Sequence, residues 1–209
     1  NKFSKSNMSI QDKLDVNREL NNILKKTDLF NSVVQDIFVI SDNGYCFTTV
    51  GQDGLAANYN YWSKEWYQKA KDTTGNVYVH ILGLHDQDFY SKKRATTAKN
   101  KTFSISFALQ NSKGKVSGAL IYNFDVTQLA EVLGASNYEE NGKVAILNEE
   151  GVIMSRSDNS DIGSMLKVSE RDREIMKREK TGSFWTKVDG KEHFVSFQTT
   201  SMGLKLVSY

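Results

Sequence analysis

The first thirty residues of the chain carry apolar side chains at a helical spacing. Lys, Asp, Glu and Asn separate these positions, no glycine interrupts them, and the apolar residues are Ile10, Leu14, Leu20, Ile23, Leu24 and Phe30. A recurrence every three to four residues is typical of an amphipathic helix. The pattern therefore predicts a long helix over residues 8–30.

Two later segments, about a hundred residues apart, share a strand, turn and strand pattern. In the first, the β-branched run 36–41 meets an Asp-Asn-Gly turn and continues as the run 45–50. Asn-Gly between apolar runs is the strongest short-range indication of a hairpin. In the second, the runs 144–147 and 152–155 flank Asn-Glu-Glu-Gly. The repetition predicts two modules of one type.

The rest of the first module is predicted to hold a helix and three further strands. Trp62, Trp66 and Ala70 stand at i, i+4 and i+8, which places them on one face of a helix over 61–71. The predicted strands and the elements between them are strands 76–82, 102–110 and 117–126, a long polar loop over 83–101, and a short helix from 127 to 133. A loop of that length in a compact domain is more often functional than idle.

The second module is predicted to continue after its hairpin with a helix at 170–179. Strands at 182–188 and 192–198 and a terminal strand from Leu204 follow. Strands and helices do not alternate as in a parallel sheet, so the order predicts an α+β fold with two antiparallel sheets and flanking helices. The predicted divisions are the N-terminal helix at 1–31 and modules at 32–135 and 136–209.

Composition narrows the function classes. The 209 residues are 39% hydrophobic and 25% charged with a net charge of +2, a balance that favours a globular domain and gives no indication of nucleic-acid binding. No run of 18 apolar residues indicates a membrane span. The single cysteine, Cys46, cannot form an internal disulfide, and on its predicted strand it is expected to be a small buried residue.

Motifs for catalysis and for cofactors are missing from the sequence. No Gly-x-Ser-x-Gly, Gly-x-Gly-x-x-Gly or Walker loop occurs, so we expect a protein that is not an enzyme and that binds no cofactor. His80, His85, Asp86 and Asp88 lie close together and could offer metal ligands. Their spacing matches no metal motif, and a solvated loop is favoured over a metal site.

Polar side chains on two predicted strands indicate a candidate ligand site. Ser104 and Ser106 share one face of their strand, and Asn123 and Asp125 share one face of theirs. If these faces meet beneath the helix that carries the two tryptophans, they form a pocket with aromatic walls and a few polar groups. The alternative is that both faces are exposed to solvent and that the tryptophans lie in the core. The pattern alone leaves both open.

Several segments, in this order, resemble the double Cache family. They are Trp-Ser-Lys-Glu-Trp-Tyr-Gln-Lys-Ala at 62–70, Gly-Asn-Val-Tyr-Val at 75–79, Phe-Ser-Ile-Ser at 103–106, Gly-Lys-Val-Ser-Gly-Ala-Leu-Ile-Tyr-Asn at 114–123, Val-Ala-Ile-Leu-Asn-Glu-Glu-Gly at 144–151 and Asp-Ile-Gly at 161–163. The resemblance covers nearly the whole chain. It implies a long N-terminal signalling helix followed by two PAS-like modules.

The resemblance also implies a function. It indicates the extracellular sensor domain of a bacterial transmembrane receptor in the cell membrane, of the chemotaxis receptor type or the histidine kinase type of two-component systems. The membrane-distal module, 32–135, would bind a small molecule, and 136–209 would be membrane-proximal and empty. Flanking transmembrane helices would lie outside residues 1–209, and the full receptor would be a homodimer. The alternative is a ligand-free dimerisation or spacer domain that senses through a separate binding protein.

Matching positions imply the candidate ligand contacts. Trp66 and Tyr67 match a Trp-Tyr pair that lines the distal pocket, Asn123 stands where amino-acid-binding members have Asp, and Lys64 stands where they have Arg. Lys can still meet a carboxylate, although as a point charge, so the expected ligand is small and polar or anionic. The complete set of predicted ligand-binding residues is Trp62, Lys64, Trp66, Tyr67, Tyr78, His80, Ser104, Ser106, Asn123 and Asp125.

Overall fold

The computed structural model describes residues 8–25, 33–49, 56, 59–74, 78–86, 89–90, 101–135 and 142–209. The chain divides into two compact units. The first unit comprises residues 1–95 and 102–124, and the second unit comprises residues 96–101 and 125–209.

The first unit is a five-stranded sheet with helices. Its elements in chain order are helix α1 at Ile10–Lys25, strands β1 at Val34–Ser41 and β2 at Cys46–Thr48, a 3₁₀ turn at Tyr61–Ser63, helix α2 at Glu65–Lys71, and strands β3 at Val79–Asp86, β4 at Lys101–Gln110 and β5 at Val116–Phe124. The strand order is β2-β1-β5-β4-β3. β1 and β5, which are far apart in sequence, pair antiparallel at the centre.

Helix α1 begins after Ser9, whose hydroxyl accepts a hydrogen bond from the backbone N–H of Asp12 at 3.0 Å. This is a side-chain N-cap, which satisfies a donor that the first helical turn leaves open. Val16 is buried on the inner face of α1, in a cluster with Val39 and Phe47. The amphipathic pattern thus attaches the helix to the sheet.

Gly118 is required where β5 passes β1. A Cβ atom at this position would overlap the carbonyl oxygen of Ile40 and lie 3.0 Å from the Cα of Ser41. Removing this overlap would require β1 and β5 to move apart, because both neighbouring atoms belong to the backbone. The close approach of β1 and β5 therefore depends on the missing side chain.

We expect Gly118→Ala to lower the free energy of unfolding by about 1–3 kcal/mol, the usual effect of overpacking. Gly134→Ala is a matched control, because its added Cβ would meet its nearest atom at an ordinary 3.6 Å. Alanine is also the better helix former, so this control should not lose stability. Thermal unfolding of both variants, followed by circular dichroism, measures the difference. Equal melting temperatures would contradict the conclusion that the approach of β1 and β5 requires glycine at position 118.

The second unit has the same sheet architecture. Its elements are helix α3 at Val126–Ala135, strands β6 at Val144–Leu147 and β7 at Ile153–Arg156, helix α4 at Glu170–Arg178, and strands β8 at Thr181–Val188, β9 at Lys191–Thr199 and β10 at Lys205–Ser208. The strand order is β7-β6-β10-β9-β8. Helix α4 begins after Ser169, whose hydroxyl accepts from the backbone N–H of Asp172 at 3.1 Å.

A buried arginine connects three segments of the second unit. The guanidinium of Arg156 lies 2.8 Å from a carboxylate oxygen of Asp189, 3.2 Å from Asp158 and 3.3 Å from Asp161. The guanidinium carbon is 5.5 Å from the ring centre of Tyr209. Only 1% of the Arg156 surface is exposed. This ion-pair network joins β7, the turn that follows it and the β8–β9 turn.

The α+β fold with two antiparallel sheets is confirmed, and two details differ from the sequence predictions. β3 runs to Asp86, so the predicted loop over 83–101 begins with strand, while residues 87–88 and 91–100 lie outside the described residues. Helix α3, predicted to close the first module, packs on β6 and β7 of the second unit. There the hydroxyl of Ser155 donates to the carbonyl of Val126 at 3.2 Å.

Candidate functional site

The inner face of the first sheet contains a pocket with mainly aromatic walls. We call it the first pocket; it spans about 190 Å³ of empty space, including the part open to solvent, and its lining residues are Phe38, Tyr61, Trp66, His85, Phe89, Ile121 and Asn123. Strands β1, β3 and β5, the 3₁₀ turn and α2 each contribute to it. The sheet and the helix segment thus enclose a small, largely apolar space.

Trp66 and His85 form one wall of the first pocket. Their rings stack with centres 5.7 Å apart and planes 17° apart. Phe89 lies against both, at 6.3 Å from Trp66 and 5.7 Å from His85. Such ring contacts stabilise each other beyond the area that they bury. The π-electron face of an aromatic ring attracts cations.

Buried polar side chains form a continuous row behind this wall. The hydroxyl of Ser104 donates to Oδ1 of Asn123 at 2.6 Å, and Nδ2 of Asn123 donates to Oδ1 of Asp36 at 2.7 Å. Nε2 of His85 lies 2.6 Å from the Ser104 hydroxyl oxygen. Asn123 pairs across the sheet with Ser104 on β4 and with Asp36 on β1. We call Asp36, Asn123, Ser104 and His85 the polar row.

The polar row ends at a buried carboxylate. Asp36 is 3% exposed, its Oδ1 accepts from Asn123, and its Oδ2 accepts from the hydroxyl of Tyr90. Because the single hydroxyl proton of Ser104 is used on Asn123, His85 must donate from Nε2 to Ser104. These donors of the row therefore point towards Asp36 and stabilise its carboxylate.

The structure brings together some of the predicted ligand contacts. Trp66 and Asn123 line the first pocket, and Ser104 lies directly behind Asn123. Trp62 packs against the same aromatic cluster, but its ring N–H donates to the carbonyl of Ser41 at 2.9 Å. The ammonium of Lys64 lies 4.7 Å from the ring centre of Tyr59 and is not among the residues that line the pocket.

Other predicted contacts have structural partners away from the first pocket. The buried hydroxyl of Tyr67 donates to the carbonyl of Ile40 at 3.3 Å and to Asp42 at 3.1 Å. The carboxylate of Asp125 accepts from the backbone N–H of Thr127 at 2.8 Å, so it caps α3 rather than facing the pocket.

The remaining predicted contacts lie along β3 and its neighbour. The side chain of Tyr78 is exposed. The ring of His80 bonds the backbone carbonyl of Asp72, and the buried hydroxyl of Ser106 reaches the carbonyl of His80 at 3.5 Å. None of these three residues is in the set that lines the first pocket.

Most lining residues of the first pocket lie outside the predicted set of ligand contacts. Phe38 and Ile121 are two of them, and Asp36, behind the pocket, entered the sequence prediction only as the first residue of a strand. Strand alternation carries an indication of this, because Asp36, Phe38 and Ile40 share a face. An acid at the start of an otherwise apolar face is unusual enough to be informative.

Cys46 lies beside the first pocket, in contact with its aromatic cluster. Burial raises the pKa of its thiol to about 12, although a hydrogen bond with Tyr61 acts in the opposite direction. Since the thiolate is the reactive form, we expect alkylation of the native protein at pH 8 to be much slower than in urea, and to accelerate as pH rises towards 12. Mass spectrometry with iodoacetamide measures both rates; equal rates would contradict a buried thiol.

Two findings concern the described residues only. Within the described ranges, no group of three or more His, Cys, Asp or Glu side chains is arranged to hold a metal ion. Among the helices in that part of the chain, none combines the length and the apolar character that crossing a bilayer requires.

Comparison with known protein families identifies the family to which the chain belongs. The model of the family dCache_1, described as Cache domain, matches residues 3–209. The chain belongs to the Cache domain family. Cache domains are ligand-binding sensor domains rather than catalysts, and the two similar sheets of this chain are the two modules of a double Cache domain. Curated protein sequences contain no match to the chain.

Solved structures with the same fold include sensor domains of bacterial chemoreceptors. The ligand-binding domain of PctB from Pseudomonas aeruginosa PAO1, in complex with L-Arg, is 15% identical, with a TM-score of 0.63 over 91% of this chain and 70% of that chain. PctC of the same organism, with GABA, is 13% identical, with a TM-score of 0.61 over 97% and 82%. The periplasmic sensory domain of Campylobacter jejuni Tlp1 is 14% identical, with a TM-score of 0.65 over 96% and 80%.

Proposed function

We propose that this Cache chain is the extracellular ligand-sensing domain of a bacterial transmembrane receptor, and that its first pocket binds a small molecule with a protonated amino group. The observation that carries the proposal is a buried carboxylate, Asp36, at the end of the polar row beneath the aromatic wall of Trp66 and His85.

The chemistry of Asn123 supports an ammonium ligand. Its Nδ2 donates to a carboxylate, which polarises the amide and makes Oδ1 a stronger acceptor. Oδ1 has two lone pairs and accepts one hydrogen bond, from Ser104, so it can accept another from a ligand N–H. The faces of Trp66 and Phe89 offer further cation–π attraction.

The ligands of the structural relatives support the same chemistry. L-Arg in PctB and GABA in PctC each carry a protonated amine and a carboxylate. The first pocket here has a partner for the amine in Asn123. Lys64, the candidate partner for a carboxylate, lies over Tyr59 instead. We therefore propose recognition of the amine, with a carboxylate on the ligand not required. The sequence had indicated a small ligand that is polar or anionic.

The proposal also includes the domain divisions, the oligomeric state and the mode of signalling that the family resemblance implies. We place the N-terminal signalling helix at 1–31, the membrane-distal module from residue 32 to residue 124, and the membrane-proximal module from residue 125, so that α3 goes with the unit on which it packs. The receptor is proposed to be a homodimer. Helix α1 supports this, because it exposes Ile10 and Leu14, one turn apart, to solvent. Ligand binding would shift the distal module between two packing arrangements. This requires that the ligand bind one arrangement more tightly than the other.

A panel of small amines and matched carboxylates tests the proposal. We expect at least one amine to raise the melting temperature in proportion to the logarithm of its concentration, as linkage requires, and the carboxylates without an amine to give no shift through this pocket. Asp36→Asn should lower the affinity for the amine by about tenfold, which corresponds to roughly 1.4 kcal/mol, because the charge that polarises Asn123 is lost.

The control for that variant is Asp15→Asn, which removes the same charge from α1. Asp15 contacts Gln11 and Arg18 on its own helix. Calorimetric titration of both variants, after circular dichroism has shown that each is folded, separates binding from stability. An amine that binds Asp36→Asn as tightly as the unaltered chain would refute the site. A broad panel without a hit would favour the ligand-free spacer alternative.

A further inference from the structure

His85 is a titratable side chain in the wall of the first pocket. It is half-buried, its ring stacks on Trp66, and its Nε2 lies 2.6 Å from the hydroxyl oxygen of Ser104. Histidine is the residue whose charge ordinarily changes between about pH 5 and pH 8. The wall that would face a bound amine therefore contains a group that becomes a cation when the pH falls.

The polar row fixes the tautomer of neutral His85. Ser104 gives its single hydroxyl proton to Asn123, so Nε2 of His85 carries the proton that it donates to Ser104. A second proton then goes to Nδ1, and both hydrogen bonds of the row keep their direction. Protonation therefore adds a positive charge to the pocket wall without a rearrangement of the row.

A protonated His85 and a bound ammonium group would compete for the same two partners. The first partner is Trp66, whose ring His85 already covers at 17° between the planes, and whose π-electrons attract a cation. The second partner is the carboxylate of Asp36 at the end of the row, whose single negative charge favours one cation in the pocket. Two cations in so small a space would repel each other.

Other titratable groups around His85 do not offer this change of charge. From the 3₁₀ turn, Tyr61 lines the pocket, and burial raises the pKa of its hydroxyl far above neutral pH. Burial likewise raises the pKa of the Cys46 thiol, on β2, to about 12. The hydroxyl of Tyr90 donates to Asp36. β4 and β5 contribute a hydroxyl and an amide to the row, neither of which titrates. The charged side chains on and beside α2 are outside the set that lines the pocket; they are Lys64, Glu65, Lys69 and Lys71.

We propose that protonation of His85 switches off amine binding in the first pocket, so that the pocket holds an ammonium group at pH 8 and releases it as the pH falls. This inference rests on the proposed function. Since a histidine ordinarily titrates near about pH 6.5, roughly one molecule in ten would have neutral His85 at pH 5.5, and the apparent affinity would be about tenfold lower there. By linkage, a bound amine should in turn favour neutral His85.

Propylamine is the probe, because an alkyl ammonium group, like that of lysine, keeps its charge from about pH 5.5 to pH 8. Calorimetric titration of the whole chain at constant ionic strength should give a dissociation constant about tenfold higher at pH 5.5 than at pH 8. His85→Gln keeps an N–H donor for Ser104 but cannot gain a charge, so its affinities at the two pH values should be equal, whatever their absolute size.

His80→Gln is the matched control for this variant. It removes a titratable ring from the same strand, but that ring bonds the carbonyl of Asp72 and is outside the set that lines the pocket. The tenfold difference should therefore persist in His80→Gln. Circular dichroism at both pH values shows whether each variant is folded.

A measurement on the unaltered chain tests the same inference without a variant. Titration at pH 6.5 in two buffers of different ionisation enthalpy counts the protons that propylamine displaces, and we expect about half a proton per amine bound. Absence of proton release, or equal affinity at pH 5.5 and pH 8, would overturn the inference and leave the amine site standing.

Two further outcomes separate this inference from the proposed function. A pH dependence that persists in His85→Gln would assign the effect to another group and overturn the inference. Propylamine binding at neither pH would overturn it as well, and absence of binding by every amine of the panel at pH 8 would overturn the proposed function with it.

Discussion

Replacing Arg156 by alanine should lower the free energy of unfolding of the second unit by about 2–4 kcal/mol, because it empties a buried side-chain site and removes the cation that three carboxylates share. Asp158, Asp161 and Asp189 would then face one another without the cation that lies among them. The pKa of Asp158 is held near 2, although burial alone would raise it, by hydrogen bonds from Lys143 and Ser160 and by the Arg156 charge.

Urea unfolding followed by the fluorescence of Trp185, the single tryptophan of the second unit, measures this effect. The matched control is Arg178→Ala, because Arg178 also pairs with a carboxylate, at 2.9 Å, but its side chain is 77% exposed. Exposed pairs contribute less than about 1 kcal/mol. A loss in Arg156→Ala no larger than that of the control would show that the buried network does not hold the unit together.

The second large effect concerns the ligand. Trp66→Ala should weaken amine binding by about thirtyfold to hundredfold, because a desolvated cation–π contact contributes roughly 2 kcal/mol and the lost ring also opens the wall to water. The stacked partner, His85, would lose its support as well.

Trp185→Ala is the control for Trp66→Ala. It removes a tryptophan of the second unit, 68% exposed, and should leave amine affinity unchanged. Titration calorimetry gives both affinities. If the two variants bind the amine equally well, Trp66 does not form part of the ligand site.

Local sequence patterns determine most of the observed fold. Both hairpins have a glycine in the left-handed conformation at the turn, Gly44 with φ of 92° and Gly151 with φ of 86°. Such turns are specified by a few adjacent residues. The strand alternation of β4 also placed Ser104 and Ser106 on one face correctly, although that face is buried and the apolar side exposes Phe107.

The candidate site could not be predicted from local sequence patterns, because its residues meet through long-range strand pairing and side-chain packing. Asp36 and Asn123 are 87 residues apart and meet only because β1 pairs with β5. Whether Lys64 turns towards the pocket or towards Tyr59 depends on the side-chain packing around a residue between the 3₁₀ turn and α2. The Arg156 network has the same origin, since its acids come from separate turns.

The central claim is that the first pocket recognises an amine through Asn123 and the aromatic wall. A crystal structure of the chain with the tightest amine of the panel tests it most directly. The claim predicts the ligand nitrogen at about 3 Å from Oδ1 of Asn123, with its apolar part against Trp66 and Phe89. A ligand found in the second unit, or one whose amine points out to solvent, would contradict it.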